Sequence, residues 1–82
     1  MMRKTDIHRC KFMLFGSVNK FYTTYNIYEI IKVSVSHDDK VYVETKDFHF
    51  VDNEVYYDGR FVDGDYIKIE YIGIYEEIEI NG

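Results

Sequence analysis

The segment Tyr66-Ile67-Lys68-Ile69-Glu70-Tyr71 repeats its side-chain character every second residue. Ile67, Ile69 and Tyr71 fall on one side of it, and Tyr66, Lys68 and Glu70 on the other. A period of two belongs to a strand, whereas a helix would scatter the same residues around its whole circumference. The rest of the chain supports that geometry. It holds ten isoleucines, eight valines, nine tyrosines and six phenylalanines, with no alanine or glutamine and a single leucine, Leu14. β-branched and aromatic residues fit a pleated surface, and the scarce types are those that lose least on entering a helix. Helix is disfavoured nearly everywhere.

Two hairpins are expected. Ile31, Val33 and Val35 alternate with Lys32 and Ser34, and the pattern resumes at Val41 and Val43 after Ser36-His37-Asp38-Asp39-Lys40. A loop over that stretch places Val35 opposite Val41, Val33 opposite Val43 and Lys32 opposite Glu44, an opposite-charge pair that favours the register. The strand before this loop reaches back to about Phe21, through Tyr22, Tyr25, Ile27 and Tyr28. In the second hairpin, Asp58-Gly59 supplies a type I′ turn signal that pairs Tyr57 with Arg60, Tyr56 with Phe61 and Val55 with Val62. Val62-Asp63-Gly64-Asp65 then turns the chain into its last long strand. There the apolar phase slips at Gly73 and continues through Ile74, Ile78 and Ile80, which predicts a bulge or bend. Ile7 to Phe15 reads as a further strand, ended by Gly16-Ser17.

With 82 residues there is room for one domain and one core, spanning 1–82. The expected fold class is all-β: a small antiparallel barrel or tight sandwich of about five to seven short strands with little or no helix, because an open sheet would leave its edges unpaired. Gly64-Asp65-Tyr66-Ile67-Lys68-Ile69-Glu70-Tyr71 resembles the strand entry of many OB-fold and SH3-like barrels. The resemblance spans about a tenth of the chain and implies a barrel.

Charge is uneven. The net charge is −5, yet residues 1–45 carry seven Lys/Arg against five Asp/Glu, and residues 46–82 carry three against ten. Solvated strand faces account for part of this. A negative face also suits docking on a basic surface, including one that normally holds nucleic acid. Tyrosine offers a rigid apolar body with a polar tip, which favours interfaces. The residues expected to meet a partner are Tyr42, Tyr56, Tyr57, Arg60, Tyr66, Asp63, Asp65 and Glu70.

Enzymatic chemistry is not expected. His8 and Cys10 share a strand face at i, i+2, the one pair that suggests a thiolate nucleophile, but no third group orients them and packing is the commoner role. His37-Asp38-Asp39 resembles a loose divalent-ion turn without the spacing of a specific site. Neither a phosphate loop nor a serine elbow is present, so no catalytic residue, metal or cofactor is expected. The lone cysteine fits a reducing compartment. The start of the chain is basic but polar, and the apolar run Phe12 to Phe15 is too short for a signal core or a membrane span. The expected localisation is cytoplasmic, or host cytoplasm for a viral protein.

The leading functional expectation is a small acidic protein-binding module, monomeric or weakly dimeric, whose partner presents a basic surface. The codon bias of Ile, Tyr, Lys, Asn and Phe points to an AT-rich genome. Small acidic β-domains of that kind resemble virus-encoded inhibitors of host enzymes or defence systems. The first alternative is a single-stranded nucleic-acid binder, with tyrosines stacking bases and Arg3, Lys4, Arg9, Lys11 and Lys20 on phosphates. The second is a small-molecule binder or minimal enzyme at the barrel mouth.

Overall fold

A computed structural model describes residues 2–77 as seven strands and, among those residues, no helix. They are β1 (Met2–Leu14), β2 (Lys20–Tyr22), β3 (Asn26–Ser36), β4 (Val43–Glu44), β5 (Phe48–Val51), β6 (Glu54–Tyr57) and β7 (Asp65–Glu77). One sheet has the order β1-β7-β3-β4 and the other β2-β6-β5, every pairing antiparallel. The sheets make a two-layer sandwich. The closed barrel implied by the OB-like and SH3-like resemblance does not form.

The core lies where the sheets face each other. The alternation in β7 holds: Ile67, Ile69 and Tyr71 are 0%, 1% and 2% exposed. They join Leu14 of β1, Ile27 and Val33 of β3, and Phe21, Val55 and Tyr57 of the second sheet. Phe12 and Phe21 stack across the layers with ring centroids 4.9 Å apart. Burying apolar surface at roughly 25 cal/mol per Å² is the main stabilising contribution. The sheets are also tied through backbone: Ile27 N–H donates to Asp52 O and Thr23 N–H to Asn53 O, both at 2.8 Å.

β1 and β7 pair along their full 13 residues. No strand of the second sheet exceeds four residues, so the molecule is elongated, 51 × 23 × 21 Å. Beyond the reach of the second sheet the inner face is covered by rings, with Tyr25 lying 4.5 Å from His8 and 5.0 Å from Tyr75, centroid to centroid.

Several expectations need correction. In β3, register shifts against β7 fall between Ile27 and Glu29 and between Ile30 and Lys32. Each adds one residue, so Ile27, Ile30 and Val33 turn inward, while Tyr28 and Ile31 turn out to 63% and 40% exposure. Ile31 therefore does not share a face with Val33. Gly73 stays in register opposite Asp6 and Ile27, and the irregularity belongs to its partner strand. A Cβ at Gly73 would sit 2.8 Å from His8 Cδ2 and 3.0 Å from Tyr25 Cβ, so the position is kept bare for close approach. Ile78 and Ile80 lie outside the described residues.

The β3–β4 pairing is two residues off the expected register: Val35 faces Val43 and Ser34 faces Glu44. The Asp38 carboxylate accepts the Lys40 and Val41 N–H groups at 2.9 and 3.1 Å, which lengthens the loop and leaves Val41 at its tip. The strand expected to reach back to Phe21 breaks at Thr23–Tyr25, where the Thr23 hydroxyl donates to Tyr25 O at 2.7 Å.

The Asp58-Gly59 hairpin does not form. β6 pairs instead with β5, through a turn at Asp52-Asn53, and with β2 on its other side. The Asp58 N–H donates to Asp47 O at 2.8 Å. Gly59 has no positive φ, and a Cβ there would overlap the Tyr57 ring. Its bareness serves packing against the Tyr57 ring and not a turn. The turn at Val62–Asp65 does form, closed by Asp65 N–H on Val62 O at 3.1 Å.

Candidate functional site

Two outward faces carry organised chemistry, one on each layer. On the three-stranded sheet, cross-strand register places Lys20, Tyr56 and His49 in one row and Tyr22, Glu54 and Val51 in the next. The His49 and Tyr56 rings stack with centroids 4.5 Å apart and planes 2° from parallel. Lys20 Nζ lies 5.4 Å from the Tyr22 ring centre and 5.7 Å from that of Tyr56, within cation–π range. The Tyr56 hydroxyl donates to Glu54 Oε2 at 2.9 Å, and His49 Nδ1 lies 2.7 Å from Asp58 Oδ2. Hydrogen bonding to Glu54 raises the Tyr56 hydroxyl above its usual pKa, and Tyr22, followed by Tyr56 and Glu54, raises that of Lys20. Tyr22 and Val51 are each 56% exposed. Lys20 thus stands beside the Tyr22 and Tyr56 rings with Glu54 4.0 Å away, and His49 with its Asp58 partner extends the row beyond Tyr56.

The outer face of the four-stranded sheet is different. Lys11, Lys68 and Ser34 form one cross-strand row, and Arg9, Glu70 and Lys32 form the next. With Tyr42 they line a groove of about 420 Å³. Arg9 Nε meets Glu70 Oε2 at 2.5 Å, and Lys11 Nζ meets Asp39 Oδ2 at 2.8 Å. Lys68 Nζ sits 4.0 Å above the Tyr42 ring, whose hydroxyl donates to Asp39. Desolvation, then that hydrogen bond to Asp39, pushes the Tyr42 hydroxyl up to about 12. Lys11 Nζ also lies 5.4 Å from the Tyr66 ring centre.

The eight residues expected at a partner surface are not brought together. Tyr42, Tyr66 and Glu70 share the outer face of the four-stranded sheet, among cations. Tyr56 belongs to the opposite layer. Arg60 and Asp65 line a separate recess of about 330 Å³ of mixed character, with His37, Asp38, Val43 and Phe61. Asp63 accepts the Gly16 N–H at 2.7 Å. Tyr57 and Asp65 are corrections: at 5% and 4% exposure they are buried. Tyr57 faces inward because β6 pairs with β2 and β5, and its hydroxyl donates to Arg60 O at 3.2 Å. Asp65 accepts the Val62 N–H at 3.0 Å and lies 2.8 Å from His37 Nδ1.

The residues that sequence reasoning passed over are Tyr22, His49, Lys32 and Lys68. Tyr22 becomes a neighbour of Tyr56 only through the β2–β6 pairing, which no local pattern encodes, whereas His49 meets it across the local hairpin at Asp52-Asn53. His8 and Cys10 form no nucleophilic pair. Burial pushes the Cys10 thiol up to about 11, its Sγ lies 3.8 Å from Ile69 O, and His8 packs between Tyr25 and Tyr71. Among the described residues, no group of three or more His, Cys, Asp or Glu could hold a metal ion, and no helix is long and apolar enough to cross a membrane.

Comparison with protein-family models, with curated proteins and with solved structures finds no match to this chain.

Proposed function

We propose that this chain is a non-catalytic protein-binding module that docks the outer face of its three-stranded sheet on a basic surface of another protein. The observation that carries this reading is the Tyr22–Lys20–Tyr56–His49 array, fixed across three strands and bordered by Glu54 and Asp58. Rings already held in place lose little side-chain freedom on binding, so more of their contact energy appears as affinity. The surplus carboxylates steer a basic partner and set the register of docking. By covering a basic surface that its partner needs for nucleic acid, the chain would act as an inhibitor.

Capture of a partner from a cell lysate tests it. The reading expects one stoichiometric basic protein, weakened at high salt, with at least about tenfold lower affinity after Tyr22→Ser with Tyr56→Ser. Tyr28→Ser, on the other sheet, should leave affinity unchanged. Equal loss in both variants, or an acidic partner, contradicts it.

A further inference from the structure

The groove on the outer face of the four-stranded sheet does not belong to the surface proposed above, and its composition runs against that of the chain. In a protein with a net charge of −5, the cations Arg9, Lys11, Lys32 and Lys68 converge on one concavity of about 420 Å³. Lys11 and Lys68 are direct cross-strand partners on the same face. Like charges in that relation destabilise a sheet. Asp39 relieves only part of this repulsion. It pairs with Lys11 at 2.8 Å, and its carboxyl is held below its usual pKa first by hydrogen bonds from Lys11 and Tyr42, then by the charges of Lys11 and Lys68. Arg9 is paired with Glu70. Four cations therefore face two carboxylates, and neither Lys32 nor Lys68 has a carboxylate within ion-pair distance among the described residues.

We propose that this groove binds a small phosphorylated ligand of nucleotide size. The volume lies in the range of small-ligand sites. Lys32 and Lys68, on neighbouring strands and adjacent rows, supply point charges for phosphate oxygens, with Arg9 and Lys11 at the flank and the half-buried Tyr42 ring as a wall. A single-stranded nucleic acid fits less well. A continuing backbone would meet the Asp39 carboxylate at one side of the groove and Glu44, which faces Ser34, at another. The ligand is thus a compact polyanion and not a polymer.

Thermal unfolding of the full chain, followed at constant ionic strength, tests the site with inorganic pyrophosphate, ATP and a single-stranded dT oligonucleotide as probes. A saturable rise in Tm with ATP or pyrophosphate is expected, because a ligand that binds only the folded state stabilises it. A response to pyrophosphate equal to that of ATP assigns the site to the phosphate chain alone, and a larger one for ATP assigns it to a nucleotide. Lys32→Gln and Lys68→Gln should each weaken the fitted affinity by about tenfold or more, the usual consequence of losing a hydrogen bond to a charged group. Both side chains are exposed, so neither change should unfold the protein, and Lys68→Gln, which removes the repulsion with Lys11, should hold or raise the apo Tm. Lys46→Gln, an exposed cation outside the groove lining, should leave affinity unchanged. No shift at millimolar ATP and pyrophosphate overturns the proposal. So does an equal loss in Lys46→Gln, or a response to the oligonucleotide alone. None of these results bears on Tyr22 and Tyr56, so this proposal and the protein-docking one can fail separately.

Discussion

Asp65 shows how one side chain can serve the core and the surface together. Burial raises its carboxyl, but the Val62 N–H and the His37 imidazole outweigh that and hold it below the usual 3.8. The same contact, first through its hydrogen bond and then through its charge, raises His37 above 6.5. The two signs differ. The Asp65 contribution is complete above the ordinary carboxylate value and is lost as pH falls through the depressed one. The His37 contribution is complete below 6.5 and is lost as pH rises through its raised value. The pair therefore supports the fold best between about pH 4 and 6.5. His37 is 83% exposed in its side chain, so solvent screening keeps its share small. His37→Gln should flatten the decline of the urea midpoint between about pH 6 and 8 relative to the parent. A parallel decline in both proteins would assign it to other groups. The sequence made Asp65 visible as the start of a strand after a glycine turn. Its burial was not legible, because that depends on His37 arriving from a loop 28 residues away.

At the scale of elements, the strands were readable where a single period persists. β7 and the second half of β1 keep one phase, and their inner residues are the buried ones. β3 departs from simple alternation where its two register shifts interrupt the phase, and a bulge leaves no mark of its own among isoleucines and tyrosines. The second hairpin failed for a different reason. Asp58-Gly59 has the chemistry of a tight turn, but its glycine gives space to the Tyr57 ring, and the working turn is Asp52-Asn53. There Asp52 adopts φ of 55°. Both backbone carbonyls of that turn accept bonds from the β2–β3 corner, which holds the conformation. Asp52→Gly should leave stability unchanged or raise it, because glycine adopts that φ without a Cβ penalty. Asp52→Val should cost about 1–3 kcal/mol, the range for a strained left-handed residue. Chemical denaturation of the two variants checks this, and equal stability would show that the turn relaxes to another form.

At the scale of the molecule, the two layers divide the surface into faces of different character. The sequence-level charge split, basic before residue 46 and acidic after it, anticipated two polarities but not where they lie. Strands from both halves mix in each sheet: β1 and β3 pair with β7, and β2 pairs with β6. The basic groove therefore draws Lys68 from the acidic half, and the acidic aromatic face draws Lys20 and Tyr22 from the basic one. Both proposals depend on the sorting of side chains by this layered pairing. Tyrosine nitration read by mass spectrometry tests that sorting most directly. Fast modification is expected at Tyr22 and Tyr28, 56% and 63% exposed, with protection of Tyr57 and Tyr71, 5% and 2% exposed. With a captured partner bound, Tyr22 should become protected while Tyr28 still reacts. Modification of Tyr57 as fast as Tyr22 in the free protein would contradict the layered arrangement, and continued reaction of Tyr22 in the complex would contradict its use as the docking face.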